Sequence, residues 1–100
     1  MLRISIEETS EALEMKLEGR IAGPWAAELN RVWVETAPRL AARKLILDLS
    51  SVTYADAGGT HLLGQIYSQT NAELLAGTLW TQSLAEQITH GAAQPGFKEL

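Results

Sequence analysis

The chain has the length and composition of one small globular domain. Of its 100 residues, 46% are apolar and 20% are charged, enough for one modest core and too few for two domains. A formal charge of -4 and a pI near 5.0 argue against the basic surface that nucleic-acid binding requires. The chain has no cysteine, and His61 and His90 have no partner at a metal-ligand spacing. We therefore expect no nucleic acid, no metal and no other cofactor.

The first residues do not read as a targeting segment. Residues 1–8 alternate between apolar and polar types and carry acids early, unlike the basic and then continuously apolar plan of a signal peptide. No apolar run approaches the roughly 20 residues needed to span a bilayer. We expect a cytoplasmic protein that does not insert directly into a membrane.

Two alternating segments open the chain and predict a hairpin. Apolar side chains occupy every second position over residues 2–6 and again over residues 13–17, which is the period of half-buried strands. The link between them, residues 8–11, is short and polar. This pattern predicts an antiparallel pair of strands.

The first helix is predicted from Pro24 to Ala37. Proline suits the first helical position because the N–H that it lacks would be unpaired there in any case. Pro38 ends the prediction, since the residue before a proline is pushed out of the helical region. We expect one face of this helix to be buried, with both of its tryptophans in the core; that face carries Trp25, Leu29, Val32, Trp33 and Thr36.

The next segment predicts a strand, a loop and a capped helix. Residues 44–49 form an apolar run with a charge at each end, typical of a central strand covered on both faces. Residues 50–55 are polar and are predicted to be a loop. Asp56 is a natural N-cap for a helix that starts near Ala57. The inward residues of this helix are predicted to be Leu62, Leu63, Ile66 and Tyr67.

A short strand and a third helix complete the predicted elements. Residues 73–76 are predicted to be a strand, and a helix runs from Leu79 to about His90, with Leu84 and Ile88 inward. The capping-box spacing of Ser83 and Glu86 would start this helix one turn later. Burial is expected for Trp80 at the helix start.

The order of elements predicts an α/β fold. The order is strand, strand, helix, strand, helix, strand, helix. It predicts a small mixed sheet of four to five strands, with about three helices mostly on one face. The domain is predicted to cover residues 1–90. Residues 91–100 are predicted to be a weakly specified C-terminal tail.

Three segments together resemble the STAS domain family, which includes bacterial anti-sigma-factor antagonists (anti-anti-sigma factors): residues 17–21, 45–52 and 56–59. Such proteins typically carry Asp-Leu-Ser-x-Val-x-Phe after an apolar strand, and then Asp-Ser-Ser-Gly at the start of a helix. Here residues 48–54 read Asp-Leu-Ser-Ser-Val-Thr-Tyr and residues 56–59 read Asp-Ala-Gly-Gly. The resemblance spans about residues 2–90 and implies a STAS-like domain that binds a protein partner in signalling and in the regulation of transcription.

The last motif departs from the family pattern at its phosphoacceptor. The second serine of the family motif, the one phosphorylated by a kinase-type anti-sigma factor, corresponds to Gly58, and the first serine corresponds to Ala57. The resemblance therefore implies a partner-binding surface without the usual phospho-switch. The neighbouring start of the first helix, around Gly23 and Trp25, is expected to border this surface. The residues expected to form the surface itself are Asp56, Ala57, Gly58, Gly59, Thr60 and His61.

Several alternatives remain open at this site. The partner that the resemblance implies is an anti-sigma factor or kinase-like regulatory protein. An ABC ATPase subunit of a lipid-transporting system, or a stressosome-like complex, is the alternative. Gly58 and Gly59 could instead serve packing alone. A displaced phosphorylation site on Ser51, Thr53 or Thr60 is a further possibility beside ordinary backbone hydrogen bonding.

The rival class is a catalytic or anion-binding domain. Asp56 as base, His61 as its helper and Ser50 or Ser51 as nucleophile would form a hydrolase site. The Gly-x-Ser-x-Gly elbow is absent, however, and an i,i+5 step turns the two side chains about 140° apart on a helix. A small anion over the start of the second helix is also conceivable, but no set of titratable residues converges there. We expect a protein that is not an enzyme.

Overall fold

The computed structural model describes the backbone of residues 1–93 and the side chains of residues 1–90. Seven elements follow one another in the predicted order. They are β1 (Leu2–Glu8), β2 (Ala12–Ile21), α1 (Pro24–Leu40), β3 (Lys44–Ala55), α2 (Ala57–Thr70), β4 (Glu73–Leu75) and α3 (Leu79–Ala93).

The four strands form one mixed sheet in the order β1-β2-β3-β4. β1 and β2 pair antiparallel as a hairpin, while β3 lies parallel to both β2 and β4. Each parallel connection runs through a helix, since parallel neighbours need a long crossover. The predicted mixed α/β fold is confirmed. None of the helices within the described part of the chain has the length and apolar character needed to cross a membrane.

One core holds the helices against one face of the sheet. Alternate residues of β2 and β3 are buried, and the residues between them are partly exposed, which is the period-2 signature of a sheet with one open face. The helices contribute their apolar residues to the same cluster. Its largest fully buried members are Leu13, Met15, Leu17, Ile21, Leu29, Leu45, Leu47, Leu49, Leu63, Ile66 and Ile88.

Helix α1 starts at Pro24 as predicted, but its C-terminal end and the burial of Trp25 differ from the prediction. It continues through Pro38 to Leu40. A proline this close to the C-terminal end removes only one hydrogen bond of the helix, so the last turn still forms. Trp33 is buried as predicted, but Trp25 is 37% exposed, so its predicted place in the core is wrong. Trp25 lies in the first turn, past the end of β2 at Ile21, and about 80° around the helix from Trp33.

Strand β3 is twice as long as its apolar run. Residues 50–55, predicted to be a loop, continue the strand and pair with β2 through two register shifts, as far as Ile21 opposite Ala55. The polar composition misled the prediction because pairing with a neighbour outweighs local preference in strands. The predicted cover on both faces is also wrong, since Ile46 and Asp48 on the open face are only partly buried.

Helix α3 begins at Leu79 rather than one turn later. Thr78 and Thr81 form a reciprocal cap, in which the Thr81 N–H donates to Thr78 Oγ1 at 3.0 Å and the Thr78 N–H donates to Thr81 Oγ1 at 2.8 Å. This cap satisfies the helix start, so the Ser83–Glu86 alternative is not used. Trp80 is 42% exposed, contrary to its predicted burial, because the inward position of the first turn is occupied by Thr81, which is fully buried.

The predicted C-terminal tail is described only in part. Residues 91–93 continue the backbone of α3, and residues 94–100 lie outside the described residues. The domain boundary placed after residue 90 stays a prediction.

Candidate functional site

Strands β2 and β3 end side by side, and a helix starts directly beyond each. Ile21 pairs with Ala55, and α1 and α2 begin at Pro24 and Ala57. Residues 20–25 and 54–61 therefore meet at one end of the sheet. We call these two segments the Asp56 junction. All six residues of the predicted partner surface lie in it.

Asp56 holds the two segments of the junction together. Its backbone N–H donates to the Ile21 carbonyl at 3.1 Å. Its carboxylate accepts from the Gly59 N–H at 2.7 Å through Oδ1, and from the Gly23 N–H at 3.1 Å through Oδ2. The predicted N-cap of α2 is confirmed. The second carboxylate bond, to the start of α1, has no local sequence signal because its partners lie 33 residues apart.

These hydrogen bonds favour the ionised form of the Asp56 carboxyl. Hydrogen bonds from the Gly59 N–H, and then from the Gly23 N–H, lower the pKa of the Asp56 carboxyl below its ordinary value of 3.8, because they stabilise the charged form. Asp56 is therefore a carboxylate at neutral pH whose two oxygens already accept bonds. It acts as a structural tie rather than as a base that awaits a proton.

The two glycines of the junction have different physical roles. A Cβ on Gly59 would lie 2.3 Å from the Ile21 carbonyl oxygen, so this buried glycine lets α2 approach the end of β2, and packing accounts for it. A Cβ on Gly58 would meet only Asp56 Oδ1, at 3.6 Å. Gly58 is exposed, and close packing does not explain why it lacks a side chain.

Large, partly exposed side chains lie in the two segments of the junction. Trp25 is 37% exposed and Tyr54 is 41% exposed. The Arg20 guanidinium lies 4.6 Å from the centre of the Tyr54 ring, within the range of a cation–π contact. Met1 joins this end because its carbonyl accepts from the Arg20 N–H at 2.9 Å. From the sequence, Arg20 and Tyr54 are identified only as members of the family-like segments, and Trp25 is predicted to lie in the core beside the docking surface.

Thr60 and His61 extend the junction toward α3. Both line a groove of about 370 Å³ between α2 and α3, whose walls are mainly hydroxyl and amide side chains. His61 is exposed and Thr60 is half-buried. The groove gives the junction a concave flank beside the start of α2.

The described side chains do not assemble the rival catalytic site. Both carboxylate oxygens of Asp56 accept from backbone N–H groups, and the Ser50 hydroxyl donates to Asp48 at 2.6 Å instead. A nucleophile–base–orienter chain requires these groups to bond one another. Among the described residues, no three His, Asp or Glu side chains gather closely enough to hold a metal ion.

Comparisons with known proteins give one family match and two similar folds. The profile of the STAS domain matches residues 3–76. The solved structure of the anti-sigma factor antagonist SpoIIAA in its unphosphorylated form aligns with a TM-score of 0.61 at 16% identity, over 84% of this chain and 82% of the other. An uncharacterized DUF3478-family protein with a SpoIIAA-like fold from Shewanella loihica PV-4 aligns with a TM-score of 0.57 at 15% identity, over 90% and 78% of the two chains. No curated protein sequence matches the chain.

Proposed function

Since this chain belongs to the STAS domain family, we propose that it is a non-enzymatic signalling module of the anti-sigma-factor-antagonist type that docks its partner at the Asp56 junction. The partner class is an anti-sigma factor or a related kinase-like regulatory protein, and the setting is the cytoplasm. This chain and the partner's own target would compete for the partner, so that binding of this chain would release the target.

The observation that carries this proposal is the Asp56 tie between two helix starts that carry exposed residues. Asp56 ties the starts of α1 and α2 into one unit, so the exposed residues of both helix starts keep fixed relative positions. Aromatic residues and arginine are the types enriched in protein interfaces, and Trp25, Tyr54 and Arg20 supply them here. A preordered surface also loses little conformational entropy when a partner binds.

Gly58 gives the proposed surface its specificity. By resemblance, this is the position at which related proteins carry a phosphorylatable serine. The exposed backbone at position 58 would let a partner come close to the first turn of α2. A side chain of any size would stand between the two proteins, and a charged one would also have to be desolvated.

The test is a charge placed at position 58. Proteins captured by the parent chain from a lysate of its own organism are identified, and each is titrated against parent, Gly58→Ala and Gly58→Asp chains by calorimetry. We expect at least about a tenfold loss of affinity for Gly58→Asp, equivalent to about 1.4 kcal/mol, and a smaller loss for Gly58→Ala. Folding should survive because a helix start tolerates a negative charge, and circular dichroism verifies this.

Val34→Asp is the matched control. Val34 is 61% exposed on α1 and lies outside the junction, so the same new charge there should leave affinity unchanged. Equal binding of Gly58→Asp and parent would place the docking surface elsewhere. A captured ABC ATPase subunit in place of a kinase-like protein would reject the antagonist assignment.

A further inference from the structure

The outer edge of β1 is a seven-residue strand edge with no partner among residues 1–93. Natural edge strands are usually protected by proline, a bulge or an inward-pointing charge. β1 contains no proline, and its pairing with β2 runs from Leu2 to Glu8 without a register shift. The charge on the helix-covered face, Glu8, lies at the last position of the strand and is neutralised by Arg39 and Arg43. This edge is therefore able to accept another strand.

The hydrogen bonds at the two ends of the hairpin show which backbone groups face outward. The Arg20 N–H donates to the Met1 carbonyl at 2.9 Å, and the Thr9 N–H donates to the Ala12 carbonyl at 2.8 Å. In an antiparallel pair, hydrogen-bonded and non-hydrogen-bonded residues alternate, so the odd-numbered residues of β1 bond to β2. The even-numbered residues, from Leu2 to Glu8, direct their N–H and C=O groups to the free edge.

We propose that two copies of this chain form a symmetric dimer by antiparallel pairing of their β1 edges around a two-fold axis at Ser5. This centre places Leu2 opposite Glu8 and Ile4 opposite Ile6 of the second copy. Those are the residues whose backbone groups point outward, so all of them find partners. Two four-stranded sheets become one of eight strands, through an interface that is the same patch on both copies.

Charge complementarity selects this register. Arg3 comes to lie opposite Glu7 of the second copy, twice in each dimer, in pairs whose side chains approach closely. Within one chain, Glu7 faces Glu14 directly across the hairpin, a like-charge pair that is unfavourable. No salt bridge to Glu7 occurs among the described residues. Arg3 lies 4.0 Å from Glu18 of its own chain, but its side chain is 77% exposed and can also reach a second carboxylate. The second copy therefore supplies the cation that Glu7 lacks.

The apolar side of the edge agrees with the same register. Ile4 and Ile6 point to the helix-covered face, where they pack against the core but remain partly exposed. Across the proposed two-fold axis each covers the other. The dimer goes beyond the proposed function, and residues 54–61 of the docking surface take no part in it.

The experiment measures the mass of the full chain by sedimentation from about 10 µM to about 1 mM, a range that covers weak association. We expect a concentration-dependent shift toward twice the monomer mass of 10.9 kDa. Arg3→Glu and Glu7→Arg should each weaken the dimer at least about tenfold, because each sets like charges across the axis. The double variant Arg3→Glu/Glu7→Arg should restore association.

The double variant separates the proposed contact from a loss of folding. Glu7→Arg relieves the repulsion from Glu14 within one chain, so it should raise the free energy of unfolding while it weakens the dimer. A chain that is monomeric throughout the range would overturn the proposal. Single variants that associate like the parent, or a double variant that fails to regain association, would overturn it as well.

A cysteine placed at the axis gives a second, independent readout. The chain has no cysteine of its own, and residues opposite each other in a non-hydrogen-bonded pair are close enough for a disulfide. Ser5→Cys should therefore cross-link rapidly on mild oxidation. Lys16→Cys is the control, because Lys16 is the β2 neighbour of Ser5 and its two copies would lie about 14 Å apart. Equal rates for the two variants would contradict the register.

Discussion

Asp56 joins the starts of two helices, and its bond to Gly23 spans 33 positions of the chain. An N-cap carboxylate usually serves one helix, whereas this one accepts from Gly59 in α2 and from Gly23 at the start of α1. The geometry of the junction therefore depends on the charge state of one side chain.

The charge state of Asp56 predicts a pH dependence of stability. Its pKa is lowered in the folded protein, so its contribution is present above the ordinary value of 3.8 and is lost as the pH falls through the lowered pKa. Asp56→Asn keeps one acceptor oxygen but no charge. In urea titrations we expect this variant to be less stable than the parent at pH 7, and the difference to shrink below about pH 4. A difference that is constant with pH would contradict the ionic role.

The neighbouring glycines predict opposite effects of one added methyl group. Gly59→Ala should lower the free energy of unfolding by about 2 kcal/mol, because its Cβ would overlap the Ile21 carbonyl and such overpacking costs about 1–3 kcal/mol. Gly58→Ala should be neutral or should raise it by up to about 1 kcal/mol, since alanine favours helix and the space is open. Denaturant unfolding compares the two directly. Equal losses would mean that the start of α2 lies differently against β2.

At the scale of elements, regular patterns could be predicted and long-range contacts could not. The alternation in β1 and β2 and the cap at Asp56 are local signals, and both predictions hold. Residues 50–55 look like a loop because their strand character depends on pairing with β2. The bond from Gly23 to Asp56 and the exposure of Trp25 depend on where the sheet ends relative to α1. No spacing within a single element encodes that position.

Helix α1 predicts a contrast between its two tryptophans. Trp33 is 6% exposed, and its indole N–H donates to Gln69 of α2 at 3.4 Å, so Trp33→Ala should cost about 3 kcal/mol of unfolding free energy. Trp25→Ala should cost less than half of that and should instead weaken partner binding. Chemical denaturation and calorimetry measure the two effects. Similar stability losses would place Trp25 in the core after all.

At the scale of the whole molecule, the missing hydroxyl at position 58 predicts the response to a kinase. Incubation with ATP and an anti-sigma-type kinase should leave residues 56–59 unmodified, whereas Gly58→Ser should accept phosphate and then lose affinity for the partner. Unphosphorylated Gly58→Ser should bind nearly as the parent does. Mass spectrometry reports the modified residue. Phosphate on Thr60 or Ser51 of the parent, together with weaker binding, would show a displaced switch.

The pairing of Ile21 with Ala55 also has a consequence for how the chain folds. The β1–β2 hairpin needs only a short loop to close. Pairing of β2 with β3 requires the crossover through α1, and such non-local contacts form slowly. The Gly23–Asp56 bond needs both strands paired to their ends, so we expect it to be among the last native contacts to form. A partner that recognises the Asp56 junction would then bind only fully folded molecules. Its binding would stabilise these molecules against unfolding by an amount that rises with the concentration of free partner.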